Sequence, residues 1–443
     1  MLNKRLKNKT GNKKFLFQSP KGMKDVLPFE QPYWEKIRQA ANKIADAYSF
    51  SRIDTPIAES AEIFERTGEA TDLVEKQMYF IKTKGGDKLV LRPEGTAAVM
   101  RAYFEHGMSK LSQPTRLFYF GPIFRYEQPQ AMRFRQHHQV GFEIIGGEND
   151  AIYDAQAILA PFRLMEELKI KNLVIQINSI GCRHCRPVYI KKLQQYYKNN
   201  QDKVCVDCRK RLLTRPLRLL DCKNEKCLPI KAEAPIILDY LCSNCRKRLK
   251  ETLEYLDNLS VFYTVNPYLV RGLDYYNGVI FEIFCGVDLS SNPVVSQQNF
   301  PPALASGGRY DYLSEMMGER KVFAVGSSVG VERVVETMKS QGLAGQAKNE
   351  AKIFLIHIGE EAKKRDLVIL EELRKSGLKA LESFGKELLK SQLRAADKGK
   401  VKLALISGQK EVFEESVIIR DMGTGNQETV PLNKMVEVIK KKL

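Results

Sequence analysis

The stretch LVRGLDYYNGVIFEIF, residues 269–284, carries Arg271, Asp274, Tyr275 and Tyr276 directly ahead of a branched and aromatic run from Val279 to Phe284. That run predicts a β-strand. A strand entering a core has little use for an arginine and an aspartate, so a ligand is the better explanation for them. Arginine's planar fork suits carboxylate and phosphate groups. Tyr275 and Tyr276 would point to opposite faces of a regular strand, so either the backbone kinks there or one tyrosine only packs.

A second constellation lies in RLFYFGPIFRYEQPQAMRFRQHHQVGFEIIGG, residues 116–147. It reads as two strands around a polar, basic loop. Residues two apart share a strand face. Gln139, Gly141 and Glu143 therefore line one side of the second strand, and Arg125 and Glu127 one side of the first. Gly141 would leave a gap where a flat ligand could lie. Together these residues form a candidate floor for an anionic ligand.

RPEGT places Glu94, Gly95 and Thr96 at a strand-to-helix turn. Glu94 could receive a ligand ammonium, or simply favour a helix N-terminus. In FAVGSSVGVERVVETM, Gly326, Ser327, Ser328 and Gly330 would let a base or sugar approach the backbone. Arg333, near the following helix start, could reach a phosphate. SGGRYD sets a double glycine before Arg309. Neither GxxxxGK[ST] nor a strand-linked GxGxxG is present. Each feature alone has a plainer reading, as a solvated sheet face, a helix-end charge or a surface arginine. Their coincidence in one chain argues for a site.

Eight of the nine cysteines fall in pairs: Cys182–Cys185, Cys205–Cys208, Cys222–Cys227 and Cys242–Cys245. Three pairs are CxxC, a spacing that favours tetrahedral thiolate binding of zinc. One or two Cys₄ sites are expected. Spacing alone does not decide which pairs share a metal.

The chain has 443 residues, 43% hydrophobic and 28% charged, with a formal net charge of +18. That is the composition of a soluble, multidomain protein with a polyanionic partner. No apolar run approaches the roughly 20 residues a membrane helix needs, and no signal peptide precedes the body. A cytoplasmic setting is expected. Residues 1–24 hold eight Lys or Arg and no acid; residues 183–250 hold eighteen against six Asp or Glu. The remainder is close to neutral, so nucleic-acid contact is expected to be local.

The expected organisation is a basic tail (1–18), a main domain (19–338) with a Cys-rich insertion (about 178–258), a linker (339–352) and a small α/β domain (353–443). Gln31–Ala47 has helical spacing, with Trp34, Ile37, Ala41 and Ile44 on one face. Residues 286–302 read as a long surface loop. His357, in HIGE, is expected on the first strand of the last domain.

These motifs together resemble those of one family. FYFGPIFRYEQPQAMRFRQHHQVGFEIIG is similar to motif 2 of class II aminoacyl-tRNA synthetases, AVGSSVGVERV to motif 3 and YSFSRIDTPIAES to motif 1. LVRGLDYYNGVIFE and SGGRYD resemble the two signatures of the histidyl-tRNA synthetases, and SPKGMKDVLP and LRPEGTAA fit them. The resemblance implies an α+β catalytic domain built on a six-stranded antiparallel sheet with flanking helices, usually in a homodimer. It implies a C-terminal α/β domain that binds the anticodon. It implies ATP-dependent activation of L-histidine to histidyl-adenylate, with Mg2+, and transfer to tRNA(His).

By the same resemblance Arg125 holds the ATP α-phosphate beside Glu127, and Arg333 holds the γ-phosphate. Glu94, Thr96 and Gln139 bind the histidine ammonium, next to Gly95. Glu143 and Tyr276 bind the imidazole, with Tyr275 beside them. Arg271 contacts the α-phosphate and the substrate carboxylate. The motif 2 loop EQPQAMRF departs from the basic residue commoner after the glutamate. The insertion cysteines are absent from many members, so zinc rests on spacing. The alternative within the family is a histidine-sensing regulatory subunit of ATP phosphoribosyltransferase. Such paralogues usually lack the anticodon domain and degrade the histidine signatures.

Overall fold

The computed structural model describes residues 17–67, 73–128, 132–286, 301–345 and 351–443. Most of the basic tail, the long loop at 287–300, the middle of the motif 2 loop and linker residues 346–350 lie outside them. The chain divides into two compact units, Met1–Gln346 and Ala347–Leu443.

The first unit contains strands β1 (Ser51–Arg52), β2 (Ala58–Ser60), β3 (Tyr79–Lys82), β4 (Lys88–Leu91), β5 (Thr115–Phe124), β6 (Gln136–Ile145), β7 (Leu173–Ser179), β8 (Tyr263–Val265), β9 (Asn277–Cys285), β10 (Ala305–Arg309) and β11 (Ala324–Gly330). Eight of them form one sheet in the order β1-β5-β6-β11-β10-β9-β7-β8. The six central strands pair antiparallel throughout. At each edge one short strand adds in parallel, β1 on β5 and β8 on β7. The expected six-stranded antiparallel sheet is thus the centre of a wider one. β2, β4 and β3 make a separate small sheet.

Helix Gln31–Ala47 opens with Pro32 in its first turn, where a missing N–H costs nothing. It buries Trp34, Ile37, Ala40, Ala41, Ile44 and Ala45, the face its spacing predicted. Helix Ile152–Glu167 packs on β6, β10 and β11 and buries Ala155, Ile158, Leu159, Phe162 and Met165. Each such aliphatic or aromatic side chain contributes roughly 1.5–3 kcal/mol on leaving water. One apolar core therefore backs the sheet and stiffens the strands that carry the polar residues.

The Cys-rich insertion contains helices Cys185–Asn199, Val206–Thr214, Leu228–Ala232 and Ser243–Asn258 with short 3-10 turns between them. Its cysteines join the main core cluster.

The second unit holds β12 (Ile353–His357), β13 (Ala380–Leu381), β14 (Leu403–Ser407), β15 (Ser416–Asp421) and β16 (Gln427–Pro431) in the order β13-β12-β14-β15-β16. β12 pairs in parallel with β13 and β14, and the rest pair antiparallel. Helices Glu360–Lys375, Leu389–Lys398 and Leu432–Lys442 cover it. His357 ends β12 and is buried.

Candidate active site

The register of β5 and β6 sets the floor of the site. Gly121 faces Gln139, Tyr119 faces Gly141 and Leu117 faces Glu143. Directly opposed residues share a face. Gly141 therefore does not open a gap for a ligand. A Cβ there would meet the Tyr119 ring at 2.2 Å, and one on Gly95 would meet it at 2.3 Å. Both glycines make room for Tyr119, which lines the cavity itself. Gly326 acts in a similar way, since a Cβ on it would overlap the Glu143 carboxylate at 1.7 Å. It admits a buried carboxylate instead of a base or sugar, while Ser328 and Gly330 do line the cavity.

That cavity measures about 610 Å³, in the range of small-molecule sites. Nine predicted site residues line it together: Glu94, Thr96, Arg125, Glu127, Gln139, Arg271, Tyr275, Tyr276 and Arg333. Gly95 and Glu143 lie just behind the lining. Glu143 is 1% exposed, accepting from Thr96 Oγ1 at 2.7 Å and from the Tyr310 hydroxyl at 2.5 Å.

Glu94 stands at a helix N-terminus, as the plainer sequence reading expects. Its oxygens accept from the backbone N–H groups of Thr96 at 2.6 Å and Ala97 at 2.8 Å, holding the start of helix Thr96–Glu105. It also faces the cavity and accepts from the Tyr275 hydroxyl at 3.3 Å. Burial raises its pKa. Burial also pushes Glu143 up to about 8, with further upward pressure from Glu94. Two buried carboxylates side by side attract a cation.

Strand β9 begins only at Asn277, so Tyr275 and Tyr276 precede it. Neither is confined to strand alternation. Both are buried, with ring centroids 5.0 Å apart, and both pack edge-on to Tyr310.

Arg271 donates through Nη1 to Glu282 and through Nη2 to Ser306 Oγ at 2.8 Å. Burial tends to lower its pKa, but Glu282 and the two tyrosines carry it above the ordinary arginine value. Arg125 donates to the Pro93 carbonyl at 2.8 Å, and Arg333 to the Ala303 carbonyl at 2.7 Å. Burial lowers Arg333, and so do nearby Arg133 and Arg125, which marks a concentration of positive charge. Burial, followed by Arg125 and Arg333, holds lining residue His137 at about 3, so it is neutral. The cavity thus has an acidic, aromatic end and a cationic end, with Arg271 among them.

Sequence reasoning missed Tyr119, Glu282 and Tyr310. Tyr119 sits in the apolar run LFYF, although it shares parity with Arg125. Glu282 alternates correctly with the apolar residues of its strand, and only the fold shows Arg271 folding back onto it. Tyr310 sits inside SGGRYD, directly after Arg309, whose charge is the more conspicuous feature of the motif. Arg309 is buried instead in ion pairs with Asp154 and Asp311, which brace the turn bearing Tyr310.

The cysteines assemble as two tetrads, Cys182–Cys185–Cys242–Cys245 and Cys205–Cys208–Cys222–Cys227. The sulfur atom of Cys182 lies 3.7 Å from that of Cys185 and 3.8 Å from that of Cys242, and Cys185 lies 3.8 Å from Cys245. In the second tetrad, Cys205–Cys222 and Cys227–Cys208 are both 3.9 Å apart. Tetrahedral zinc with Zn–S near 2.3 Å has an edge of about 3.8 Å. Backbone N–H groups point at sulfur in both, from Cys182 to Cys185 and from Cys205 to Cys227, each at 3.2 Å. Burial opposes ionisation of Cys182, but backbone N–H donors win and bring it to about 6; a bond from Cys208 brings Cys222 to about 5. The donor sets fit zinc.

Comparison with known proteins agrees with this geometry. The family model described as histidyl-tRNA synthetase matches residues 22–184 and 219–334, and an anticodon binding domain model matches 352–442. A histidine–tRNA ligase of Dehalococcoides mccartyi is 42% identical over 97% of this chain and 100% of its own length. One from Halothermothrix orenii is 40% identical over 96% and 99%. The crystal structure of apo S. aureus histidyl-tRNA synthetase superposes with a TM-score of 0.77 at 30% identity, covering 96% of this chain and all of the other. A Bacillus halodurans structure titled ATP phosphoribosyltransferase regulatory subunit/histidyl-tRNA synthetase shares the fold, with a TM-score of 0.63 at 18% identity. With its family model matching most of its length, and with relatives this similar from end to end, the chain belongs to the histidyl-tRNA synthetase family.

Proposed function

We propose that the cavity of the first unit forms histidyl-adenylate from L-histidine and ATP, with Arg271 as the catalytic residue, and then charges tRNA(His). A histidine carboxylate oxygen attacks the α-phosphorus and diphosphate leaves. A ribose hydroxyl at the tRNA end then attacks the acyl carbon, AMP leaves with the anhydride oxygen, and the hydroxyl proton passes to solvent. Arg125 and Arg333 take the α- and γ-phosphates, with Glu127 beside them. Mg2+ would accompany the ATP.

Glu94, Thr96 and Gln139 hold the ammonium; Glu143 and Tyr276 read the imidazole, with Tyr310 and Thr96 fixing the Glu143 carboxylate. Buried groups matched to imidazole reject side chains that leave them unpaired. Arg271 would stabilise charge developing on the α-phosphate, oriented by Glu282 and Ser306. The observation that carries the reading is the shared cavity: acidic, aromatic and cationic groups from five separate segments converge on one space. The anticodon-type domain at 352–442 favours tRNA charging over histidine sensing.

Each Cys tetrad would hold a structural zinc, whose thiolates suit a reducing cytoplasm. None of the described helices is long and apolar enough to cross a membrane. The homodimer usual in the family is expected here, and sedimentation would show it. Histidine-dependent exchange of pyrophosphate into ATP tests the function. Exchange is expected with histidine and not with other amino acids. Exchange driven by threonine or proline, or none at all, would contradict the reading.

A further inference from the structure

The basic residues that line the cavity fall into separate groups. One group is Arg125, Arg133 and Arg333, close enough together to depress Arg333. The other comes from the insertion. Arg218 and Lys231 line the same cavity, one on each side of the Cys222 and Cys227 pair in the chain. Arg218 pairs with Asp221 at 3.1 Å and is only 29% exposed. Its Nη1 would stand 3.6 Å from a Cβ on Gly272, the residue after Arg271. Lys231 is 1% exposed, with its ammonium 5.7 Å from the Tyr268 ring centroid. Tyr268 in turn donates to the Ala232 carbonyl at 2.9 Å, so the insertion is tied to the loop that bears Arg271. A lysine is rarely so buried, and burial brings this one to about 8.

We propose that Arg218 and Lys231 form a phosphate subsite for the last phosphodiester of the tRNA acceptor end. This rests on the aminoacylation reading above. The second half-reaction must bring a nucleotide past Arg271, to the acyl carbon, from a side that ATP does not fill. The insertion wall lies beside Arg271, and its cations would grip the phosphate that precedes the terminal ribose. A charge-assisted bond of this kind holds the reacting hydroxyl in place. The Cys205–Cys208–Cys222–Cys227 tetrad fixes the segment, and Cys222 itself reaches the cavity lining.

The test is single-turnover transfer from preformed histidyl-adenylate to tRNA(His) whose last internucleotide linkage is a neutral methylphosphonate. With the unaltered protein the neutral linkage is expected to slow transfer on the order of tenfold, the loss of one charged hydrogen-bonding partner. The Arg218→Gln/Lys231→Gln variant, folded by circular dichroism, should transfer slowly to normal tRNA, with a loss at least about tenfold larger than its loss in pyrophosphate exchange. The neutral linkage should then add less than about threefold, since coupled changes are not additive. Equal loss in exchange and transfer would show that the anion is the diphosphate of ATP and overturn the proposal. So would a neutral linkage without effect on the unaltered protein, or with its full effect on the variant. Absence of histidyl-adenylate altogether would overturn the functional reading, and this subsite with it.

Discussion

Arg271 and Glu282 form a part-buried ion pair inside the cavity, across eleven residues of chain. Glu282 stands in the sheet, so the guanidinium is anchored to a rigid element and not to its own loop. Arg271 still lines the cavity. Glu282→Gln removes the charge that fixes the arginine while keeping a hydrogen-bond acceptor. Adenylate formation is expected to slow by about tenfold, with histidine and ATP affinity less affected. In a double-mutant cycle with Arg271→Lys, the two losses should fall well short of additive. Full additivity would show that Glu282 does not act through Arg271.

The tetrads make metal content countable. Elemental analysis of reduced protein purified without chelator should find two zinc ions per chain. Cys208→Ser/Cys222→Ser and Cys185→Ser/Cys245→Ser should each remove one. Loss of both from either change would mean a single shared site. Loss of a structural metal is expected to lower thermal stability clearly, because the free energy of binding such a metal contributes to folding.

Glu143 supplies a pH test. Its folded-state pKa is raised to about 8 by burial, from an ordinary value of 4.5. Between those values the folded protein holds a proton that the unfolded chain releases. Stability therefore falls as pH rises through that window, and is fully recovered below it. Glu143→Gln cannot ionise. It should melt at a higher temperature than the unaltered protein at about pH 8, by roughly 2–4 °C for each kcal/mol recovered, and similarly to it at about pH 4.5. Histidine binding should weaken at the same time. A melting difference independent of pH would show that the buried carboxylate is not the source.

The insertion's excess of Lys and Arg should help hold tRNA. Neutralising four of its basic residues, Lys191, Lys192, Lys198 and Lys210, should weaken tRNA binding and reduce the salt slope by about 0.7–0.9 for each phosphate no longer neutralised. Adenylate formation should be much less affected. An unchanged slope and affinity would mark the charge as surface solvation.

Helix Gln31–Ala47, the main strands and nine cavity residues were legible in the sequence because each rests on local periodicity or on a motif of adjacent residues. Features that depend on tertiary approach were not. Tyr119 fills the space above Gly95 and Gly141, a relation set by strand register. Glu282 looks like an ordinary polar position on a strand until Arg271 folds onto it. The cysteine pairs could not be matched by spacing, because the first pair meets the fourth, and the second the third, only in the folded chain. The edge strands β1 and β8, two and three residues long, are too short for any periodic signal.

In the proposed mechanism Arg271 stabilises charge developing on the α-phosphate. The most direct measurement is single-turnover formation of histidyl-adenylate by Arg271→Ala at saturating histidine and ATP, with folding checked by circular dichroism. A folded variant is expected to bind both substrates fairly well and to react on the order of 10²–10³ slower, the usual loss for one well-placed donor to such charge. Arg271→Lys should recover only part of the rate, because it restores the charge without the fork. A rate for Arg271→Ala within about threefold of the unaltered protein would contradict the account and reduce Arg271 to a structural partner of Glu282.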